Sequence, residues 1–145
     1  MNAPILPFIP AAVRALLIAS ADFTALVAAT RIATRLPASV TAPCAVVKAP
    51  PATPVEVSAG AWAPLVQVEG YCPPGGDVDP EVVVWNIAAT AAAVLSRAWN
   101  VSFQSMHYSA RVTDGPLADV DTSRGAGSPL YRALIRAELR VHVRR

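Results

Sequence analysis

The clearest pattern in this chain is the alternation at its end. From Tyr131 to Arg144 every odd position is apolar: Tyr131, Ala133, Ile135, Ala137, Leu139, Val141 and Val143. The even positions read Arg132, Leu134, Arg136, Glu138, Arg140, His142 and Arg144, so six of those seven are polar or charged. A period of two is the mark of a half-buried strand, because successive side chains point to opposite faces of a sheet. Ala, Leu, Arg and Glu favour helices, but a helix does not repeat every second residue, and Val-x-Val closes the run. At roughly 3.3 Å per residue the strand spans about 45 Å, which predicts that it bends or extends past its own sheet. One face belongs to a core. The other carries Arg132, Arg136, Arg140 and Arg144 with Glu138 as the internal counter-charge, either as a solvated face or as a charged surface for another protein chain.

Earlier in the chain the patterns are shorter. Pro10 fits the first turn of a helix over Ala11 to Ser20, and Asp22 is placed to cap a second one over Phe23 to Ala29. Val13, Leu16, Leu17, Phe23, Leu26 and Val27 form the apolar side of this pair, with Arg14 facing out. Arg31 to Leu36 reads as a short strand or extended arm. Prolines at 37, 43, 50, 51, 54 and 64 exclude a long helix between Pro37 and Pro64. Cys44 to Lys48 and Val55 to Val57 remain as short extended segments at sheet edges or ends, with a stiff Pro-rich link between them. Leu65 to Tyr71 alternates again and reads as a strand, ended by Pro73, Pro74, Gly75 and Gly76.

The best-marked helix follows. Asp79 suits the N-cap, Pro80 the first helical position and Glu81 the positive end of the helix dipole. The helix is expected to reach about Trp99, with Asn100 as its stop. Its interior is nearly uncharged, only Asn86, Thr90, Ser96 and Arg97 breaking the apolar surface, which predicts burial on more than one side. A neighbouring subunit against its Ala-rich face meets that demand, as does a central place inside the monomer. Val101 to Val112 reads as one strand, and residues 113–129, rich in Gly, Pro, Asp, Ser and Thr, as a flexible protruding loop between two long strands. The expected fold is therefore a single domain over residues 1–145 of α+β class. Its mixed, largely antiparallel sheet carries an N-terminal helix and one long apolar helix, and closes in a long C-terminal hairpin.

Composition changes the picture in one respect. Apolar residues make up 54% of the 145-residue chain and charged residues only 15%, against about 25% in an average domain. Too few charges remain to cover a monomer's surface, so a partner or further copies are expected on part of it. A net charge of +2 is too small to make nucleic acid the main partner. Apolar runs of membrane-spanning length are interrupted by Arg14 and Asp22, and later by Asn86 and Arg97. The N-terminal apolar run has no Lys or Arg before it, which speaks against a secretory signal, and the chain reads as soluble with no membrane partner.

Catalytic motifs are thin. Gly-x-Ser-x-Gly, phosphate-loop, dinucleotide and His-Glu-x-x-His patterns are absent. Asp119-x-Asp121-x-Ser123 has the spacing that begins a calcium loop, but the Gly comes at Gly125 and the last ligand position falls on Leu130 instead of an acid. His107 and His142 become neighbours if the two late strands pair, and Asp77 and Asp79 are better placed to cap a helix than to catalyse. Cys44 and Cys72 read as two buried thiols, with a single disulfide as the alternative.

The order of elements resembles the tail terminator (tail completion) proteins of long-tailed bacteriophages. The matching features are a helix followed by Arg31-Ile32, Val66-Gln67-Val68-Glu69-Gly70-Tyr71 leading into a helix of small residues, and Leu130-Tyr131-Arg132 opening an alternating last strand. The Pro/Ala-rich span, the Pro-Pro-Gly-Gly turn and the long segment after Val112 depart from the family pattern. The resemblance implies a structural virion protein of the tail-neck region, assembled in the host cytoplasm. It implies a homohexameric ring that caps the head-proximal end of the tail tube, stops its polymerisation and joins the tail to the capsid neck. The implied partners are further copies of the chain, the tail tube protein and the stopper protein of the neck, with DNA passing through the ring without specific binding. No enzymatic activity, cofactor or metal is called for. On this reading Trp85, Ala89, Ala92 and Trp99 pack subunits together, and Arg132, Arg136 and Arg140 with Asp119, Asp121 and Arg124 meet partners. Another neck position, stopper or adaptor, and a small enzyme using Asp77, Asp79 or the two histidines are the alternatives.

Overall fold

The computed structural model describes residues 5–50, 56–58, 60–123 and 129–144. Three helices pack on one face of a mixed, largely antiparallel sheet of eight strands, an α+β architecture. The strands are β1 (Ile32–Ala33), β2 (Cys44–Lys48), β3 (Glu56–Ser58), β4 (Ala61–Trp62), β5 (Leu65–Cys72), β6 (Val101–Phe103), β7 (Met106–Asp121) and β8 (Leu130–Val143). Strand β8 is central. Along one edge it pairs with β5 and then β4, and along the other with β7 over almost its whole length. The one parallel pair described is β1 with β2.

The alternation in β8 is realised as expected. Ala133, Ile135, Ala137, Leu139, Val141 and Val143 are buried in the core, while Arg136, Arg140 and His142 are exposed on the opposite face. In β5, Val66, Val68 and Cys72 join the same core, and Gln67, Glu69 and Tyr71 turn to the other side. Over the core lie α1 (Ile9–Ile18), α2 (Ala21–Thr24) and α3 (Pro80–Ser96). In α3 the Asp79 carboxylate accepts the Glu81 backbone N–H at 2.9 Å, and Pro80 holds the first helical position.

Several boundaries differ from the sequence pattern. Helix α1 begins two residues early, at Ile9, and Arg14 is half-buried because its Nε donates to the Ile32 carbonyl at 2.6 Å, tying α1 to β1. Ser20, not Asp22, caps α2, which is a single turn followed by a 3-10 turn over Ala29–Arg31. Helix α3 stops at Ser96. Strand β2 lies between β1 and β5 and is not an edge. Val55 and the prolines 51 and 54 lie outside the described residues.

The segment expected to be a flexible loop is mostly strand. What reads as one strand from Val101 is a tight hairpin, β6 and β7, turning at Gln104 with φ +50°, and β7 then continues through Asp121. Its pairing with β8 shifts register between Val112 and Leu117 around Gly115 (φ +98°), where a Cβ would stand 2.5 Å from the Leu134 carbonyl oxygen. Only residues 122–129 connect the two strands, and 124–128 lie outside the described residues.

Helix α3 is also not enclosed. Val84, Ile87, Ala88, Ala91 and Leu95 form one buried stripe, and Val82, Trp85, Asn86 and Ala93 face outward. The close fit of its buried side depends on Gly70, where a Cβ would come within 2.7 Å of Ile87 Cγ2 and 2.9 Å of its Cβ. Gly70→Ala is expected to destabilise the fold by about 1 to 3 kcal/mol through overpacking. Paired with Ile87→Ala it should cost clearly less than the sum of the two single changes. Urea unfolding of the four proteins in that cycle measures the coupling.

Candidate functional site

Two surfaces hold the residues that the sequence marks for contact. The first is the sheet face turned away from the helices. Register stacks its side chains in cross-strand rows: Cys44, Tyr71, Arg132 and Asp119 in one, Val46, Glu69, Leu134 and Leu117 in the next, Lys48, Gln67, Arg136 and Asp114 in a third. At the centre lies the Glu69 carboxylate, fully buried. It accepts hydrogen bonds from the Lys48 ammonium, the Tyr71 hydroxyl and Gln67 Nε2. Arg132 Nη1 stands 3.4 Å from its Oε2. Burial pushes this carboxyl up, but the hydrogen bonds from Lys48, Tyr71 and Gln67 and the Lys48 charge outweigh it and hold the group below the ordinary glutamate value. Burial and the neighbouring carboxylate raise Tyr71 in turn.

Arg132 is a bidentate partner of Asp119, with Nε to Oδ1 at 2.8 Å and Nη2 to Oδ2 at 2.5 Å. The Asp119 hydrogen bond raises the guanidinium's pKa against the effect of burial. Arg136 Nε donates to Gln67 Oε1 at 2.9 Å, with Asp114 at 4.0 Å, and Arg140 Nε stands 3.1 Å from Glu138. The basic strand is therefore not a row of unpaired charges. Its arginines at 132, 136 and 140 each have a partner on β5, β7 or β8. Lys48, Gln67, Glu69 and Tyr71 were not marked as site residues. The alternation of β5 places Glu69 outward, but its burial depends on which strands flank it.

The second surface is the outward side of α3. Trp85, Ala89 and Ala92, spaced four and three residues apart, share it; Trp85 is 47% exposed and both alanines are half-buried. Trp99 does not lie beside them. It follows the end of the helix and is 83% exposed, and about 16 Å of helix separates Trp85 from that end. Asp119 and Asp121 stand on β7, where Asp121 Oδ1 accepts the Ser123 N–H at 2.9 Å. Arg124 lies outside the described residues.

The remaining chemistry is dispersed. His107 and His142 are register partners with stacked rings 5.5 Å apart. Asp79 adjoins Tyr131 and Arg132, eleven residues and about 36 Å along β8 from His142, so the acids and the histidines do not form one site. No disulfide links Cys44 and Cys72, which are buried in separate clusters on opposite faces of the sheet. Among the described residues no three His, Cys, Asp or Glu side chains group as a metal site requires, and no helix is long and apolar enough to cross a membrane. No protein-family model matches the chain, and no curated protein sequence matches it.

The low-lying Glu69 carboxyl makes a pH prediction. An unfolded chain protonates its glutamate near the ordinary value of about 4.3, whereas the folded chain holds out to lower pH. The stability contributed is present above about pH 4.3 and is lost as pH falls from there through the folded-state value. Glu69→Gln should lower stability at pH 7 by about 1.5 to 3 kcal/mol, because the hydrogen bonds from Lys48, Tyr71 and Gln67 lose their charged acceptor. It should also flatten the acid limb of the stability profile, as read by denaturant melts between pH 7 and pH 3.

Proposed function

We propose that this chain is a structural assembly protein of a phage virion, a ring-forming tail terminator at the junction of tail and capsid neck. The observation that supports the reading is a chemical division between the two sides of one sheet, apolar residues exposed on α3 and a ladder of charged side chains on the opposite face. On the helical side Val82 and Trp85 are exposed apolar residues of α3, suited to packing against further copies, and Trp99 stands beyond the helix end beside Arg111 and Arg140. On the other side the ladder of Arg132, Arg136 and Arg140 with Asp119 and Asp114 offers charge to a different partner. A capping protein needs such a division. One surface closes the ring, while another meets tube protein or neck protein without offering a place for the next tube subunit. Neither surface requires a catalytic group, a cofactor or a metal.

The mechanism is steric and positional. The ring docks on the last ring of tube protein, ends its growth and offers its free face to the stopper protein, with DNA passing through the centre. A stopper or adaptor position in the same neck uses the same kinds of surface and is distinguished by which partner is lost. Images of particles from a parent phage with a stop codon early in this gene test the reading. Overlong, headless tails are expected. Tails of normal length that fail to join heads move the protein to the head side of the neck, and intact infectious particles contradict an assembly role.

Arg136→Glu combined with Arg140→Glu probes the charged face alone. Arg140 is largely exposed and Arg136 about half exposed, and Arg136 also loses its hydrogen bond to Gln67, so stability should fall by about 1 to 2 kcal/mol. Joining of tails to heads should fall at least about tenfold, as charge reversal at a contact demands, counted as infectious particles against total tails. Unchanged yields would make this face a solvated one.

A further inference from the structure

The two ends of α3 differ in a way that fits one to the other. At the N-terminal end a cleft of about 490 Å³ opens between the helix and the far part of the β7–β8 hairpin. Val82 and Trp85 wall it, and Val120 and Tyr131 lie beneath. Asp79 and Glu81 line it too, beside Asp119 and Arg132, which pair with each other. Among the described residues Glu81 enters no ion pair, and Asp79 only caps the helix. The hairpin reaches past α3 here, which leaves Val120 and Trp85 about half exposed.

At the C-terminal end the arrangement is reversed. Trp99 projects into solvent from a firmly held corner: the Asn100 N–H donates to Ser109 Oγ at 3.0 Å and the Ala110 N–H to the Ala98 carbonyl at 3.1 Å. Arg111 lines the shallow hollow beside it, together with Arg140 and the Glu138 that pairs with it, and Arg97 closes the helix. Arg97 and Arg111 form no ion pair among the described residues. One end is thus a largely apolar cleft where Asp79 and Glu81 add negative charge beside the mutually paired Asp119 and Arg132, and the other an exposed indole where Arg111, with Arg97 at the helix end, adds positive charge beside the mutually paired Arg140 and Glu138.

We propose that the cleft is occupied by a second copy of this chain, which inserts Trp99 and sets Arg97 and Arg111 against Asp79 and Glu81. A chain cannot satisfy itself this way, because a rigid helix of about 25 Å separates its two ends. Two clefts or two Trp99 corners brought together place like charges face to face. The complementary arrangement is head to tail, the heterologous contact that generates a ring when its rotation closes. The inference rests on the ring reading for the statement that copies of this chain associate, and adds which surfaces meet and in what order.

Native mass spectrometry and light scattering on the purified full chain test it with two exposed substitutions, Glu81→Arg in the cleft and Trp99→Ala at the corner. Circular dichroism checks that both fold. The wild type should form closed oligomers, and each variant alone should dissociate with at least a tenfold rise in its apparent dissociation constant. An equal mixture of the two should form heterodimers and nothing larger, because only one intact cleft and one intact corner remain to meet. Oligomers undisturbed by either substitution, or a mixture that stays monomeric, would overturn the interface. So would a wild-type chain that remains monomeric at millimolar concentration. The tail phenotype of the stop-codon phage judges the ring reading separately, so loss of the one is distinguishable from loss of the other.

Discussion

The structure depends on satisfying both faces and both edges of a single strand. Strand β8 lies in the middle of the sheet, with β5 and β4 along one edge and β7 along the other, so its backbone groups find partners in hydrogen-bonded ladders. From Ala133 on, its odd positions fill the core under α3, and its even positions, Leu134 apart, are polar or charged. A slip of one residue would drive Arg132, Arg136 and Arg140 into that core and expel Ile135, Leu139 and Val141. Full burial of each of those three larger side chains is worth about 1.5 to 3 kcal/mol, which is what fixes the register. Every cross-strand row on the outer face follows from it.

That register explains why a carboxylate can be buried on the side of the sheet without helices. Glu69 lies opposite Leu134 and Val46, diagonal to Lys48 and Arg132, and beside Gln67 and Tyr71. A buried acid alone would be strongly unfavourable; with Tyr71, Gln67 and the two cations Lys48 and Arg132 around it, it becomes the joint of four strands. The outer pairs are different. Arg140 with the half-buried Glu138, and Arg136 with Asp114, are open to solvent on at least one side and contribute little to stability. They can exchange their partners for those of another protein at small cost, which suits a contact surface better than a fixed core.

Much of this was legible in the chain, and the failures have physical causes. The Asp79-Pro80-Glu81 start of α3 and the alternation of β8 are local signals, and both stand. The β6–β7 turn at Gln104 carries neither Gly nor Pro, although its φ of +50° is one those turns usually reserve for Gly or Asn. Gly115-Pro116 reads as a strand breaker, yet β7 runs through it, because β6 covers only Met106–Tyr108. Past Ala110, whose N–H meets the Ala98 carbonyl, that edge of β7 has no described neighbour, so a missing N–H leaves no ladder partner there unsatisfied. The pairing of Arg132 with Asp119 and the burial of Glu69 are products of long-range register. Composition exposed the surplus of apolar surface on α3 but not its arrangement. Burial on one side leaves Trp85 flanking a cleft, and the end of the helix at Ser96 leaves Trp99 on a separate corner.

The central claim is that this chain ends the growth of a tail tube. The most direct measurement is the length of tubes formed in vitro by the tube protein of the parent phage, with and without the purified, fluorescently labelled chain. The account predicts that added chain halts elongation at substoichiometric amounts and that label is found at one end of each tube. Tubes that lengthen at an unchanged rate and carry no label at either end would contradict it.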